Sequence, residues 1–180
     1  MKTVSIKAKY DIFIGEYPFH QRLKNELLPL LEGHPDKQKR QTNVQAQMTD
    51  WRWQMDNPRV KRLLSYVEAT INNCYDYTRI GGPPPSMYWN NFWANVYSKG
   101  DYTKTHHHYT SITICSLVYF LKTKWYDSPL VFTNSGQKIR PKEGRYIIFP
   151  SHLSHHVPKH RYNDTRITLS GNIDDETYGH

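Results

Sequence analysis

Cysteine is scarce in this chain, which has two examples, Cys74 and Cys115, among 180 residues. Two cysteines cannot build the disulfide framework that supports many small secreted domains. Cys115 lies inside an apolar run, a position that favours a buried and reduced thiol. The cysteine content therefore favours a reducing compartment, and we expect a cytoplasmic protein.

Long apolar segments are also missing. No stretch approaches the roughly 18 consecutive apolar residues of a membrane-spanning helix. The N-terminal sequence MKTVSIKAKYDIFIG contains no apolar core of the kind that signal peptides carry. We therefore expect neither a membrane span nor a cleaved signal peptide.

Acidic residues are few compared with basic ones. The chain has 24 Lys and Arg against 16 Asp and Glu, which gives a formal net charge of +8. The densest basic segments are 37–40 and 59–62. Such a balance suits a small anionic substrate and makes nucleic acid a possible partner. A solvated loop and an outer helix face explain these segments more simply, so nucleic acid is not favoured.

Aromatic residues, by contrast, are abundant at 14%, with 14 Tyr and 5 Trp. Aromatic side chains favour strands and can supply much of a core, and the length suffices for one domain. We expect a single domain over 1–180, with a helical N-terminal part (about 1–80) packed on a strand-rich core (about 86–175). The Gly-Pro loop at 81–85 separates the two parts.

The N-terminal part predicts two helices. In the first, over 17–31, one face carries Phe19, Leu23, Leu27, Leu30 and Leu31, and Pro29 would kink or shorten the helix. The second begins after Asn57 as N-cap, with Pro58 at the first helical position. A strand or two over 2–14 and a short strand over 51–55 complete this part.

The C-terminal part predicts a succession of short strands. They cover 87–97, 111–121, 129–133, 145–149, 155–158 and 166–173, at spacings typical of hairpins. The fold class is therefore mainly β with flanking helices (α+β), as a sandwich or jelly roll.

Histidines form the most informative pattern. His106 and His108 are one residue apart, so on a strand they would share a face and His107 would point away. His155, from a later strand, could complete a three-histidine site with open positions, which suits a catalytic metal. Arg166 carries a planar fork of donors that matches a carboxylate. Either histidine cluster alone would more simply be a solvated loop or an adventitious metal site.

Several further motifs occur in a fixed order around these residues. They are Trp93-Ala94-Asn95-Val96, Gly100-Asp101-Tyr102, His106-x-His108-x-x-Ser111, Tyr119-Phe120, Pro141-x-Glu143-Gly144, Phe149-Pro150-Ser151, His155-x-Val157 and Arg166-x-Thr168-x-Ser170-x-Asn172. Together, over about 88–174, the chain resembles the small 2-oxoglutarate/Fe(II) oxygenase-like family of bacterial and phage proteins.

This resemblance implies a double-stranded β-helix (jelly-roll) core, an Fe(II) site and 2-oxoglutarate as co-substrate. It matches His106, His108 and His155 to the metal ligands and Arg166 to the anchor of 2-oxoglutarate. It implies a dioxygenase that hydroxylates an unidentified small molecule or protein and releases succinate and CO2. A phage-encoded member would act in the host cytosol.

The last strand predicts a polar stripe that lines the pocket, because Arg166, Thr168, Ser170 and Asn172 share one face. Thr168 would lie beside the bound carboxylate. Asn95, Tyr119 and Tyr88 are further candidate pocket residues.

One position departs from the usual pattern of two histidines and one carboxylate, since His108 stands where an acid is common. Asp101 is the nearest acid in the sequence. Two alternatives stay open. A zinc-dependent cupin-like enzyme could use the same ligands, with Glu143 as the best candidate for a general base. A non-enzymatic basic jelly-roll module is the other.

Overall fold

The computed structural model describes residues 9–32, 38–39, 42–74 and 86–176. Within those ranges the chain forms two helices and twelve strands. In chain order they are β1 (Phe13–Glu16), α1 (His20–Glu32), β2 (Gln38–Lys39), β3 (Val44–Gln45), β4 (Gln47–Met48), α2 (Pro58–Cys74), β5 (Met87–Tyr97), β6 (Tyr102–His106), β7 (Thr113–Lys122), β8 (Leu130–Phe132), β9 (Lys138–Ile139), β10 (Arg145–Pro150), β11 (His155–Val157) and β12 (Arg166–Asp175).

The strands form two antiparallel sheets. The larger sheet has seven strands in the order β1-β10-β7-β12-β5-β4-β2, and the smaller has five in the order β3-β6-β11-β8-β9. Long strands β5, β7 and β12 pair along most of their length at the centre of the larger sheet. Two sheets with such non-sequential neighbours form a jelly roll, as the sequence predicts.

Two apolar layers cover the two faces of the larger sheet. One layer joins the sheet to the helices through side chains that include Leu23, Leu27, Val67 and Tyr119. The other lies on the opposite face and joins the larger sheet to the smaller through Phe120, Phe149 and their neighbours. Successive residues of β7 thus enter different layers, because side chains alternate along a strand. The functional residues described below belong to the face between the sheets.

Both predicted helices are present. The Asn57 side chain caps α2, because its Oδ1 accepts hydrogen bonds from the backbone N–H of Arg59 at 2.9 Å and Val60 at 3.4 Å. Helix α1 runs through Pro29 to Glu32 without ending there. Its buried face is narrower than predicted: Leu23, Leu27 and Leu31 are buried, whereas Phe19 and Leu30 are each 41% exposed.

The prediction of a strand over 51–55 is wrong. These residues form turns with one isolated bridge, between Arg52 and Phe92. Gln54 adopts a φ of 57°, which is incompatible with an extended strand. The alternation of Trp51, Trp53 and Met55 therefore reflects a turn in which Trp53 is buried and Trp51 is 42% exposed.

The N-terminal part contributes more strand than expected. Strand β1 pairs with β10, β4 pairs with β5, and β3 pairs with β6, so this part extends both sheets. Residues 2–8 of the expected strand over 2–14, residues 37 and 40 of the basic segment and the Gly-Pro loop at 81–85 lie outside the described residues.

Cys115 is buried with a free thiol, as predicted. Neither described helix combines the length and the apolar composition that a membrane crossing requires.

Candidate metal centre

Three histidines converge on the face between the sheets. His155 in β11 lies directly opposite His106 in β6, as its cross-strand partner. His108 follows β6 by two residues, and its backbone N–H donates a 2.8 Å hydrogen bond to the carbonyl of Ser151. One ligand atom from each of the three histidines lies within 4.8 Å of the other two. This spacing allows one metal ion to contact all three.

The reason for this convergence differs from the one expected from the sequence. Strand β6 ends at His106, so strand alternation does not orient His108. The hydrogen bond to Ser151 instead fixes the segment after the strand. His107 is exposed, and its Nδ1 accepts a 3.3 Å hydrogen bond from the backbone N–H of Tyr109. It therefore lies outside the cluster, where the sequence placed it.

Hydrogen bonds to backbone carbonyls select the tautomers of two of these histidines. Nδ1 of His106 lies 2.8 Å from the carbonyl oxygen of Lys104, and Nδ1 of His155 lies 2.9 Å from that of Leu153. A carbonyl can only accept, so each Nδ1 carries the proton and each Nε2 keeps a lone pair. Such backbone partners are common behind metal-binding histidines.

Burial keeps all three rings neutral. Loss of hydration lowers the pKa of His106 below its ordinary value, and it lowers the pKa of His108 and of His155 to about 3. The neighbouring histidines add to this effect, because each ring disfavours a second positive charge beside it. At neutral pH the cluster therefore offers unprotonated nitrogens, the form that binds metal.

Arg166 lines the same cavity as the three histidines. Its side chain is almost fully buried, at 1% exposed, between the rings of Tyr97 and Phe120, which lie 4.7 Å and 5.5 Å from the guanidinium carbon. Nε and Nη1 have no hydrogen-bond acceptor among the described residues. Burial lowers the pKa of Arg166, although an arginine stays charged. A buried cation with unused N–H groups indicates a missing anion.

Polar side chains continue from Arg166 along the cavity wall. Thr168 and Ser170 follow it on β12 and line the cavity, as does Asn95 from the paired strand β5. The Asn95 amide donates to Ser170 Oγ at 3.1 Å, and the Trp93 indole N–H donates to Asn95 Oδ1 at 3.1 Å. Three of the four residues of the predicted polar stripe therefore line the cavity, whereas Asn172 does not line it and bonds to Ser116 and Asn91.

Residues 92–174 match the sequence profile of the 2OG-Fe(II) oxygenase superfamily. The matched segment begins in β5, ends in β12, and contains all three histidines and Arg166. Over this segment the chain matches the superfamily. The family prediction is thus confirmed, and the protein is an oxygenase that uses Fe(II) and 2-oxoglutarate.

Solved structures share the fold of this oxygenase at low sequence identity. A Pseudomonas putida prolyl-4-hydroxylase matches with a TM-score of 0.70 and 16% identity, over 93% of this chain and 94% of the other. A Trichoplax adhaerens prolyl hydroxylase, in complex with a peptide fragment of the hypoxia inducible factor oxygen degradation domain, matches with a TM-score of 0.68 and 15% identity. This match covers 92% of this chain and 84% of the other. A viral collagen prolyl hydroxylase from Paramecium Bursaria Chlorella virus-1, in its 2OG complex, matches with a TM-score of 0.64 and 15% identity. This match covers 92% of this chain and 96% of the other. A comparison with curated protein sequences found no significant match.

Two of the expected pocket residues of the oxygenase lie elsewhere. Tyr119 points to the helix side of the larger sheet, where its hydroxyl is 2.7 Å from Nδ1 of His20. The residues of β7 that line the cavity are Leu117 and Val118. Tyr88 pairs with Asp174, at the opposite end of β5 from Tyr97. At about 3.3 Å per residue it lies roughly 23 Å along the strand from Asn95, too far to line the cavity.

The two acids considered from the sequence also lie outside the cavity. The Asp101 carboxylate accepts a 2.9 Å hydrogen bond from the backbone N–H of Ser98. Glu143 forms an ion pair with Lys24 of α1 at 2.7 Å and accepts from the backbone N–H of Thr123. Both carboxylates have structural partners, so neither supplies a fourth ligand or a general base in the described structure.

Sequence reasoning missed the two rings that enclose Arg166. Tyr97 lies opposite Arg166 in the β5–β12 register, and Phe120 lies opposite Thr168 in the β7–β12 register. An aromatic residue near the end of each flanking strand was the available signal. It could not be used without knowing that β12 lies between β5 and β7.

Proposed function

We propose that this oxygenase is a hydroxylase in which His106, His108 and His155 hold Fe(II) and Arg166 binds the distal carboxylate of 2-oxoglutarate. One observation carries the proposal: three neutral imidazoles and a buried arginine with unused N–H groups line one cavity. The overall reaction converts 2-oxoglutarate, O2 and a substrate C–H bond into succinate, CO2 and a C–OH group.

The residues that line the cavity fit both Fe(II) and 2-oxoglutarate. Neutral imidazole is a suitable ligand for Fe(II), and three such ligands would leave coordination positions open for other ligands. Bound Fe(II) supplies the redox chemistry that activates O2. The protein's own residues orient and enclose the reactants, which for a cofactor enzyme is the usual share of the work.

Arg166 has the properties required of a carboxylate anchor. Its planar guanidinium can donate two parallel hydrogen bonds, and the rings of Tyr97 and Phe120 hold it in one orientation. Thr168, two residues further along the same face of β12, offers a hydroxyl beside the carboxylate. Exclusion of water strengthens such a pair, because the effective dielectric constant is low.

The two alternatives from the sequence receive less support. A zinc hydrolase needs a general base near its bound water, and Glu143 is committed to Lys24 and Thr123. A purely basic binding module would not need a buried arginine with unused donors beside three histidines. The family match favours the oxygenase over both.

A polypeptide is the substrate class that we propose. The similar structures include prolyl hydroxylases, one of them in complex with a peptide. In this chain Trp51 is 42% exposed and packs edge-on against Trp93, which lines the cavity, at a centroid distance of 4.8 Å. This pair provides an aromatic surface beside the cavity, and a ring-containing side chain would pack well on it.

Turnover tests this proposal. Succinate should form only when Fe(II), 2-oxoglutarate and O2 are all present. Adding a proline-containing peptide library should raise the rate of succinate formation, and the peptide that is hydroxylated should gain about 16 mass units. The matched variants are His155→Ala, which should abolish succinate formation, and His107→Ala, which should retain it. Zinc-dependent turnover without 2-oxoglutarate would refute the hydroxylase.

A further inference from the structure

A second cluster of ligand-type side chains lies outside the proposed active site. Asp127 follows β7, and His160 and Asp164 precede β12. One ring nitrogen and one oxygen from each carboxylate lie within 4.8 Å of one another. Asp127 and His160 are 3% and 1% exposed. None of the three lines the cavity that contains Arg166 and the histidines.

The hydrogen bonds around His160 leave one nitrogen with a free lone pair. Nε2 lies 2.9 Å from the backbone carbonyl of Asp164, so Nε2 carries the proton. Nδ1 is buried and has no hydrogen-bond partner among the described residues. This tautomer, with one nitrogen bonded to a carbonyl and the other free, is the arrangement found behind metal-binding histidines.

Each carboxylate likewise has one oxygen satisfied and one buried without a donor. Oδ2 of Asp127 accepts from the backbone N–H of Lys124 at 2.8 Å, and Oδ2 of Asp164 accepts from the Tyr126 hydroxyl at 2.9 Å. The Oδ1 atoms of both residues have no hydrogen-bond partner in the described part of the chain. The His160 ring also approaches Asp164 through Nε2, which lies 3.6 Å from Oδ1 and is too far away for a hydrogen bond. Three buried acceptors in one cluster that lack a hydrogen-bond donor are costly unless a cation binds there.

From this geometry we propose that Asp127, His160 and Asp164 form a second metal site, distinct from the iron site, that binds a divalent cation of the Zn²⁺ class. Imidazole nitrogen and carboxylate oxygen both bind Zn²⁺, and the two negative charges of the carboxylates balance the ion. The inference uses no residue of the proposed iron site and does not depend on the proposed function.

The position of this site suggests what the cation does. It links the loop after β7 to the loop before β12, and β12 starts with Arg166, two residues after Asp164. The backbone N–H and carbonyl of His160 also bond to the backbone of Asp101 and Gly100, at 2.7 Å each. A bound cation would therefore tie three loops together at the end of the sheet where Arg166 enters the cavity.

Anomalous diffraction at the zinc edge tests the site directly. The full-length protein is crystallised with Zn²⁺, which should give one peak among His106, His108 and His155 and a second among Asp127, His160 and Asp164. Absence of the second peak, with the first fully occupied, would overturn the proposal.

Zinc titration of variants supplies the second measurement. The His106→Ala/His155→Ala protein should keep one tight equivalent of Zn²⁺. Adding Asp127→Asn and Asp164→Asn should weaken zinc binding by more than about 100-fold, which exceeds the loss expected from removing a residue that only bonds to a metal ligand. Asn has nearly the same shape as Asp, and circular dichroism reports whether these variants fold. Unchanged zinc affinity in the quadruple variant contradicts the site; if it does not fold, the anomalous map alone decides.

Discussion

Arg166 is the residue on which the proposed co-substrate site depends most. A guanidinium that is 1% exposed, with Nε and Nη1 unpaired among the described residues, is an unfavourable arrangement for a protein without its ligand. Binding of a carboxylate removes that cost. The same residue therefore accounts for affinity toward a dianionic co-substrate and for a local instability of the ligand-free protein.

Replacing Arg166 by Met should separate 2-oxoglutarate binding from metal binding. Loss of a buried charge-assisted pair, about 2–5 kcal/mol, should weaken 2-oxoglutarate binding by roughly 30-fold to several thousand-fold. Fe(II) stoichiometry should stay at one in this variant. Calorimetry on the metal-loaded protein measures both quantities. Arg166→Lys should recover only part of the affinity, since the fork geometry is lost.

The exposed Arg161 provides the control for charge loss, because Arg161→Met removes one positive charge outside the cavity. The Arg161→Met variant should bind 2-oxoglutarate as tightly as the unmodified protein does. An unchanged affinity in Arg166→Met, together with a melting temperature lowered by several degrees, would show that Arg166 has only a structural role.

The three histidines and His107 should respond differently to substitution by Ala. Loss of His106, His108 or His155 should abolish stoichiometric Fe(II) binding, because two remaining nitrogens make a weak site. His107→Ala should keep full stoichiometry, since His107 is exposed and outside the cluster. Metal analysis of the four purified variants decides this. An empty site in His107→Ala alone would mean that the segment after β6 is arranged differently.

The neutral histidines also predict how pH affects the metal-free protein. In the unfolded chain these rings bind a proton near pH 6.5, whereas in the folded state the pKa of His108 and His155 is about 3. The unfolded state thus binds more protons between these values, so stability falls as pH decreases from about 6.5 toward 3. The limiting slope is about 1.4 kcal/mol per pH unit for each ring, and less for His108, which is partly exposed.

Urea unfolding at several pH values below 7 measures this slope. His155→Gln should make the metal-free protein less sensitive to acid, whereas His107→Gln should leave the slope unchanged. If His155→Gln retains the full slope, carboxylates elsewhere dominate the acid response.

At the scale of elements, the helices support the larger sheet from the side opposite the cavity. Helix α1 is joined to it by the contact of His20 with Tyr119 and by the pair of Lys24 with Glu143. Helix α2 is joined to α1 through Asn57, whose amide donates to Glu26 at 2.7 Å while its Oδ1 caps the helix. Leucine and valine side chains fill the space around these polar links.

Substitution of Asn57 by Ala should therefore destabilise the protein by about 0.5–2 kcal/mol, the range for loss of an N-cap. Asn57→Ser keeps an oxygen for the cap and loses the bond to Glu26, so it separates the two contributions. Equilibrium unfolding in urea measures both variants. Equal losses for Ala and Ser would assign the effect to the contact with α1 and not to the cap.

Local sequence patterns predicted the long elements well. Helix α2 has a repeated apolar face and an Asn-Pro start, and β12 has alternating polar and apolar residues. The pattern failed over 51–55, where alternation came from a turn, and after His106, where the strand ends. In both places a backbone hydrogen bond or dihedral angle that depends on distant residues decides the conformation, and no local pattern reports it.

At the scale of the whole molecule, the candidate site arises because the fold brings three separate segments together. His106, His155 and Arg166 could be proposed from spacing and from the resemblance, because metal ligands and carboxylate anchors have restricted chemistries. The assignment of Tyr119 and Tyr88 to the pocket failed because it required the strand order and the face of the sheet on which each side chain lies. Strand β7 turns Tyr119 toward α1, and the length of β5 carries Tyr88 away from the cavity.

Anaerobic titration with Fe(II), with and without 2-oxoglutarate, is the most direct measurement of the central claim, that one cavity holds both groups. A weak visible charge-transfer band should appear only when both are present, and it should be absent in His155→Ala. In Arg166→Met it should require a much higher 2-oxoglutarate concentration. If no band forms in the unmodified protein, or if the band forms unchanged in both variants, then these residues do not hold Fe(II) and 2-oxoglutarate.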